Sequence, residues 1–191
     1  MSDQTLTSRR GTLLLSGAAL ALLAGCETAA RDQPAASETA DAASLDAGLL
    51  NAALALEYEA IFAYRAGAGS GLLTPAQLEL AGLFLAQHEE HRDLLIRTVE
   101  RIGGAPVDPE GEAVYAARLE LATLASAEEV LALATRLEKG AANAYLGVLP
   151  KFSDPLYGQF SARIAADEVM HWTALTRALG RPLPERALSF G

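Results

Sequence analysis

Four helix-forming stretches of the sequence each carry an apolar row that is interrupted near its middle by Glu or His. In the first stretch, Glu57 stands between Leu54 and Ile61, at helical spacings of three and four residues. Residues at these spacings share one face of a helix, so the interrupting polar side chains enter the same core as their apolar neighbours. Because an isolated buried charge is costly, any fold of this chain must bring these groups together.

The interrupting residues form one set of candidates for a shared polar centre. They are Glu57, His88, His91, Glu138, Glu168 and His171, and they include all three histidines of the chain. His88 and His91 are three residues apart, as are Glu168 and His171, so both members of each pair can point to the same side of a helix. Two metal ions would compensate the charge of such a cluster and would accept its lone pairs.

The surrounding sequence predicts an all-α domain, since no stretch alternates strictly between apolar and polar residues. Thr74 with Gln77, and Ser126 with Glu129, are typical of capping boxes that start helices. Gly67, Gly69 and Gly71 are expected to end the first helix. We expect main helices over about 46–65, 74–102, 126–149 and 154–180, and a minor helix from Asp108-Pro109 to about 124.

The lengths of the connections predict how these helices pack. The links between the first two and between the last two main helices are short, which favours antiparallel hairpins. The middle link carries its own helix and is long enough to span a bundle from end to end. We therefore expect a four-helix bundle over residues 45–185, built of two hairpins and one long crossover, with a tail at 186–191.

The N-terminus predicts export and tethering. Arg9 and Arg10 precede a short apolar run that ends at Cys26, and this segment resembles a Tat-type signal peptide with a lipobox over residues 1–25. By that resemblance, Cys26 is lipidated and anchors the mature protein in the periplasm or cell envelope. Residues 26–44 hold almost no large apolar side chains and are expected to be a flexible tether. A plain membrane anchor, or cleavage elsewhere with Cys26 incidental, is the alternative.

The net charge of the chain limits the classes of partner that it can bind. The formal net charge of −9 argues against nucleic acid and against electrostatic docking on anionic lipid, so a lipid on Cys26 would be the membrane contact. Because Cys26 is the only cysteine, an intramolecular disulfide is excluded. A metal ion or a small inorganic substrate fits the acidic and imidazole side chains better, and assembly into a homodimer is left open.

The candidate residues resemble those of the ferritin-like superfamily, the di-iron carboxylate four-helix bundles, in its exported bacterial members. The resemblance covers about 45–180 and rests on Leu56-Glu57-Tyr58, His91, Glu138 and Asp167-Glu168-Val169-Met170-His171. It implies iron or manganese held by one Glu from each of two helices and by Glu-x-x-His from each of the other two. Glu57 and Glu138 would fill the single-Glu roles, and Glu168 with His171 forms one full motif.

The second helix departs from that pattern, because His88 stands where the family has a Glu that bridges two metals. An imidazole ordinarily binds one metal through one nitrogen. The site could then hold an asymmetric pair, a single metal, or a pair bridged only by Glu168. Glu89 could substitute if the helix were locally wound as a π-bulge, or the family's function could be lost.

Three further residues are expected to support the ligands. The resemblance implies that Asp167 is a hydrogen-bond partner of a ligand histidine, with Asp93 as a weaker candidate. Tyr64 and Tyr145 lie in the same helical rows as Glu57 and Glu138, and are expected to pack with their polar tips near the centre rather than to act as redox partners.

Three kinds of function remain open from the sequence. The first is a redox protein that uses iron or manganese to activate dioxygen or peroxide or to oxidise Fe(II), as in protection against oxidative stress. The second is a metal-binding protein without turnover. The third is a metal-free bundle, in which His88 and His91 bind Glu57 or Glu138 and a helix face contacts an envelope partner. The sequence does not identify a catalytic residue.

Overall fold

The computed structural model describes residues 33–190, which form five α-helices and two short 3-10 turns. The helices are α1 (Gln33–Gly69), α2 (Pro75–Arg101), α3 (Glu112–Arg118), α4 (Ala127–Val148) and α5 (Pro155–Ala178). No strand occurs in this range, so the all-α prediction is confirmed. None of these helices combines the length and the apolarity needed to cross a bilayer. The proposed signal peptide, Cys26 and residues 27–32 lie outside the described residues.

Side-chain caps fix where three of the helices begin. At α2, Thr74 accepts the backbone N–H of Gln77, and Gln77 accepts the backbone N–H of Thr74, which is the predicted capping box. At α4, Ser126 accepts the N–H of Glu129, whose carboxylate accepts the N–H of Ala125. At α5, Asp154 accepts the N–H of Leu156 at 2.8 Å. Each cap satisfies backbone donors that the first helical turn leaves free.

The first helix is longer at both ends than the sequence predicts. Residues 33–44, part of the expected tether, are helical, since this segment is rich in alanine, the strongest helix former. At the other end α1 continues through Gly67, where an added Cβ would lie 3.0 Å from Cγ1 of Val130. Close approach to α4 therefore explains this glycine, and the chain turns only at Gly71, whose φ is +73°.

The minor helix is shorter than predicted. It begins at Glu112 instead of Asp108 and ends at Arg118, because Glu120 adopts a left-handed backbone with φ 53°. A 3-10 turn at Leu121–Thr123 completes the crossover. Tyr115 is buried and stacks on Phe62 of α1, with ring centroids 5.3 Å apart. The long link is thus packed against the bundle.

Two apolar clusters show how the main helices run. One contains Leu50, Ala53, Leu54, Leu95, Val99, Tyr145, Ile164 and Ala165. The other contains Tyr64, Ala81, Phe84, Leu131 and Leu175. We call them the first and second core layers. Both α1 and α5 pass from the first to the second, whereas α2 and α4 run the opposite way. Each hairpin is therefore antiparallel, and the crossover returns the chain along the bundle, as the connection lengths predict.

A buried carboxylate ties α1 to the loop that precedes α5. Asp46 is 2% exposed and accepts the backbone N–H groups of Ser153 and Asp154 at 2.7 and 3.0 Å. We expect Asp46→Ala to lower the free energy of unfolding by about 2–3 kcal/mol, because two backbone donors lose their charged acceptor. Urea denaturation measures the change, with Asp41→Ala, an exposed position on the same helix, as the control. A loss equal to that of the control would contradict this role.

Candidate metal centre

The six candidate residues meet between the two core layers. Glu57 comes from α1, His88 and His91 from α2, Glu138 from α4, and Glu168 and His171 from α5. All six are buried, and His91, the most exposed, retains only 7% of its accessible surface. The apolar layers above and below account for this burial, since each helix carries its polar residues between two apolar segments.

The ligand atoms form two overlapping groups with metal-binding spacing. The first consists of Glu57, His88, His91 and Glu168, and the second of His88, Glu138, Glu168 and His171. Within each group, one nitrogen or carboxylate oxygen from every residue lies within 4.8 Å of the others. His88 and Glu168 belong to both groups. The structure thus creates two adjacent candidate positions that share two residues.

Individual distances show which atoms face each position. At the first, Nδ1 of His91 lies 3.3 Å from Oε1 of Glu168 and 3.7 Å from Oε2 of Glu57. At the second, Nδ1 of His171 lies 3.3 Å from Oε2 of Glu138 and 3.5 Å from Oε2 of Glu168. Both histidines therefore present Nδ1 to the centre.

The outward nitrogens of these two histidines have acceptors. Nε2 of His91 lies 3.2 Å from the carboxylate of Asp167, and Nε2 of His171 lies 2.6 Å from the side-chain oxygen of Gln87. Since these oxygens only accept, Nε2 carries a proton, and Nδ1 is the nitrogen that can bind a metal once its own proton is displaced. Asp167 lies where the sequence analysis places it, whereas Asp93 instead accepts a hydrogen bond from Arg92.

Gln87 was missed by sequence reasoning. Its only signal is its position one helical turn before His91, which places both on the side of α2 that faces α5. The amide gives no indication from sequence alone that it contacts His171, because the two residues lie 84 positions apart.

Two tyrosines donate hydrogen bonds to the carboxylates of Glu138 and Glu57, one in each direction between α1 and α4. Tyr64 of α1 donates its hydroxyl hydrogen to Oε1 of Glu138 in α4, and Tyr145 of α4 donates to Oε1 of Glu57 in α1. Burial, and then the charge of the neighbouring Glu138, raises the pKa of Tyr64 well above its usual value, so the phenol keeps the proton it donates. Burial and Glu57 act in the same way on the pKa of Tyr145. Each tyrosine thereby fixes the orientation of one carboxylate.

The unpartnered polar atoms of this centre are the observation that most favours a cation. Among the described residues, Nδ1 of His91 and both carboxylate oxygens of Glu168 are buried without a hydrogen-bond partner. A metal-free polar layer would leave these buried atoms without hydrogen-bond partners, at a cost of about 1–3 kcal/mol for each such group. Three carboxylates and three imidazoles are donors that suit iron, manganese and zinc. The residues present therefore fit divalent metal ions.

Burial and close contacts between the carboxylates and imidazoles shift the pKa values of the centre. Burial opposes ionisation of Glu57, but its contacts with His88 and His91 lower the pKa of this carboxyl to about 2. Burial disfavours the charged form of His91, yet its contacts with Glu168 and Glu57 raise its pKa to about 10. For Glu168, burial, together with the neighbouring Glu138, raises the pKa to about 7. Glu168 is therefore the carboxylate that this environment stabilises least.

We expect the metal-free protein to lose stability as the pH rises from about 6.5 to about 10. Because the folded-state pKa of His91 is about 10 and its ordinary value is 6.5, its contribution is complete below pH 6.5 and disappears as the pH rises through 10. Glu57, with a folded-state pKa of about 2 against 4.5, contributes above pH 4.5 and loses this contribution as the pH falls through 2. Thermal unfolding in EDTA should give a lower Tm at about pH 9 than at about pH 6; a Tm that rises instead would contradict the assignment.

We expect Asp167→Asn to weaken metal binding by about 10–100-fold, because the carboxylate that holds the Nε2–H of His91 becomes an amide. The fold should not change, since Asp167 is half exposed. Titration with Zn²⁺ and a competing chelator measures the affinity, and Asp93→Asn is the matched control, since Asp93 binds Arg92. Equal affinities for the two variants would rule out this positioning role.

Glu89 does not take the place of the missing helix-2 carboxylate. The helix α2 is regular α-helix throughout, without a π-bulge. Glu89 lies on the outer side of α2, where its carboxylate contacts Arg65 at 2.5 Å. His88 itself therefore occupies the position between the two candidate metal sites.

Comparison with known proteins agrees with this architecture. A family model for the ferritin-like domain matches residues 45–181. A solved structure of a conserved hypothetical protein from Mycobacterium tuberculosis shares 24% identity over 71% of this chain and 97% of that chain, with a TM-score of 0.63. A ferritin-like, diiron-carboxylate protein from Bacillus anthracis shares 20% identity over 72% of this chain and 97% of that chain, with a TM-score of 0.58.

These structural likenesses show the fold alone, because both identities are low. No curated protein matches the sequence. The family model covers most of the chain and includes all six residues of the buried centre. The chain therefore belongs to the ferritin-like family.

Proposed function

We propose that this protein binds iron or manganese at the buried centre and uses the metal in redox chemistry with dioxygen, peroxide or Fe(II). The unpartnered Nδ1 of His91 and the unpartnered oxygens of Glu168, which face the other ligands inside an apolar core, are the observation that carries the proposal. A relative described as a diiron-carboxylate protein has the same fold and supports this choice of metal. We further propose export and a lipid anchor at Cys26, which would place this chemistry in the cell envelope.

Four side chains around the centre would hold the metal ligands in their orientations. Asp167 and Gln87 hold the imidazole rings of His91 and His171 with Nδ1 facing inward. Tyr64 and Tyr145 orient the carboxylates of Glu138 and Glu57. The two core layers exclude bulk water, which would strengthen the electrostatic interactions inside the centre. Bound iron or manganese would supply the electron transfer that these residues cannot perform.

A groove between α2 and α5 offers a route to the centre. It has a volume of about 470 Å³ and reaches His91 and Asp167, with Arg97 and Arg163 among its other lining residues. The groove admits only small reactants to the first metal position, because His91 itself is almost fully buried. Dioxygen, hydrogen peroxide and a hydrated metal ion are therefore the substrates that we propose.

The proposal is tested by adding Fe(II) without oxygen and then exposing the protein to dioxygen or hydrogen peroxide. We expect the wild type to take up iron, consume the oxidant and develop the absorption of ferric iron, and Mössbauer spectra follow the oxidation. His91→Ala, which removes a ligand of the first position, should take up less iron and consume less oxidant than the wild type. Iron uptake without oxidant consumption would instead support metal binding without turnover.

A metal-free interaction module is the second candidate function, and one observation favours it. The imidazole of His88 lies between two carboxylates, 2.8 Å from Glu57 and 3.2 Å from Glu138, as a metal-free polar layer requires. Under this alternative, elemental analysis finds no metal and EDTA leaves the thermal stability unchanged. Tm measured with and without metal therefore separates the two candidates.

A further inference from the structure

We propose that His88 joins the two metal positions as a bridging ligand, with Nδ1 bound to one ion and Nε2 to the other. The inference rests on the proposed metal binding and adds the way in which the two ions are connected. It starts from the ring orientation: Nδ1 lies 2.8 Å from Oε2 of Glu57, and Nε2 lies 3.2 Å from Oε1 of Glu138. Glu57 belongs only to the first ligand group and Glu138 only to the second, so the two nitrogens face different groups.

Glu168 spans the same two positions beside His88. Its Oε1 lies 3.3 Å from Nδ1 of His91, whereas its Oε2 lies 3.5 Å from Nδ1 of His171. Nδ1 of His88 is 3.8 Å from Oε1 of Glu168, so the ring and the carboxylate lie next to each other. Each of the two shared residues therefore offers a different atom to each position, as a bridging ligand must.

The ring of His88 is held in this orientation. The residue is 1% exposed, and its ring packs against that of Tyr64 at a centroid distance of 5.3 Å and against that of His171 at 5.2 Å. A side chain enclosed in this way cannot turn one nitrogen towards solvent without disturbing the core. Both nitrogens consequently stay at the centre.

Charge balance gives a physical reason for a bridging imidazole. Two divalent ions and three carboxylates leave one uncompensated positive charge in an enclosed apolar core, which is unfavourable. A neutral imidazole carries one N–H, and binding of the second ion at that nitrogen releases this proton to water. The resulting imidazolate carries one negative charge and makes the cluster neutral. His88 can thus supply the charge that the family's bridging Glu would otherwise supply.

A bridge of this kind separates the ions more widely than they lie in ordinary two-metal sites. Metal pairs in ordinary two-metal sites lie about 3.5–4 Å apart. A carboxylate that gives a different oxygen to each ion, as Glu168 would, does not hold the pair to that distance. With metal–nitrogen bonds of about 2.0–2.1 Å on opposite sides of an imidazole ring, two ions lie about 6 Å apart. The separation between the ions is therefore the quantity that distinguishes His88 as a bridge from His88 as a ligand of one ion.

Crystals of the zinc-loaded protein test this directly by anomalous diffraction. We expect two zinc peaks per chain, about 6 Å apart, with the ring of His88 between them. Two peaks about 4 Å apart or closer, or one peak alone, would overturn the bridge and leave the proposed metal binding intact. An absence of zinc would overturn both proposals.

Variants and copper add a solution readout. His88→Gln retains polar atoms but cannot join two ions through a ring, so zinc bound per chain should fall from two to one; Glu89→Gln, on the outer side of the same helix, should keep two. In wild type loaded with Cu(II), an imidazolate bridge pairs the two spins and suppresses the ordinary electron paramagnetic resonance signal. Two full, independent copper signals would overturn the bridge even if His88→Gln failed to fold.

Discussion

Glu168→Gln is expected to weaken the binding of both metal ions by about 100-fold or more and to make the metal-free protein more stable than wild type. Glu168 faces both candidate positions. In the glutamine variant, one neutral amide oxygen replaces the two carboxylate oxygens as a metal ligand. Loss of a residue that merely orients a ligand costs about 10–100-fold in affinity, so loss of this shared ligand should cost about 100-fold or more at each position.

The gain in stability has a separate cause. Glu168 is fully buried, its two oxygens lack hydrogen-bond partners among the described residues, and burial raises its pKa to about 7. An amide of the same shape removes the cost of an uncompensated charge, and we expect the free energy of unfolding without metal to rise by about 1–2 kcal/mol.

Two measurements check this prediction together. Metal bound per chain is determined after dialysis against Fe(II) or Zn²⁺, and urea denaturation in EDTA gives the stability. Glu100→Gln, on the exposed side of α2, is the control and should match wild type in both. If Glu168→Gln still bound two ions at wild-type affinity, Glu168 would not be the shared ligand.

Removal of metal from the wild type is expected to lower Tm by about 5–10 °C. Metal present at about 100 times its dissociation constant stabilises the folded state by about 2.7 kcal/mol, and a chain of this size gains about 2–4 °C for each kcal/mol. The reason is that a bound ion supplies the partner that His91 and Glu168 lack.

Differential scanning calorimetry with EDTA, and again after metal is restored, measures this change. His91→Ala is the matched comparison, because a chain without one ligand of the centre should respond far less to EDTA. An unchanged wild-type Tm would instead favour the polar layer in which His88 alone joins Glu57 and Glu138.

The order of the main helices and the convergence of the six polar residues could be predicted from the sequence, because both depend on periodicity and connection length. A row such as Leu50, Leu54, Glu57 and Ile61 places its carboxylate in the core whatever the details of packing. Capping residues such as Thr74 act locally, and the start of α2 was therefore predictable.

Features that depend on contacts between distant residues were not predictable. The helix α1 continues through Gly67 because that glycine meets Val130 of α4, whereas glycine alone predicts a helix end. The buried role of Asp46 depends on a loop more than a hundred positions away. Likewise, the two-sided contact of His88 depends on the orientation of its ring, which periodicity does not determine.

The central claim, that the buried Glu and His residues bind metal, is tested most directly by elemental analysis of the protein purified without added metal. We expect two iron or manganese ions per chain in the wild type, and a loss of both in Glu168→Gln. A wild-type protein that is folded, free of metal, and unable to take up Fe(II), Mn²⁺ or Zn²⁺ would contradict it.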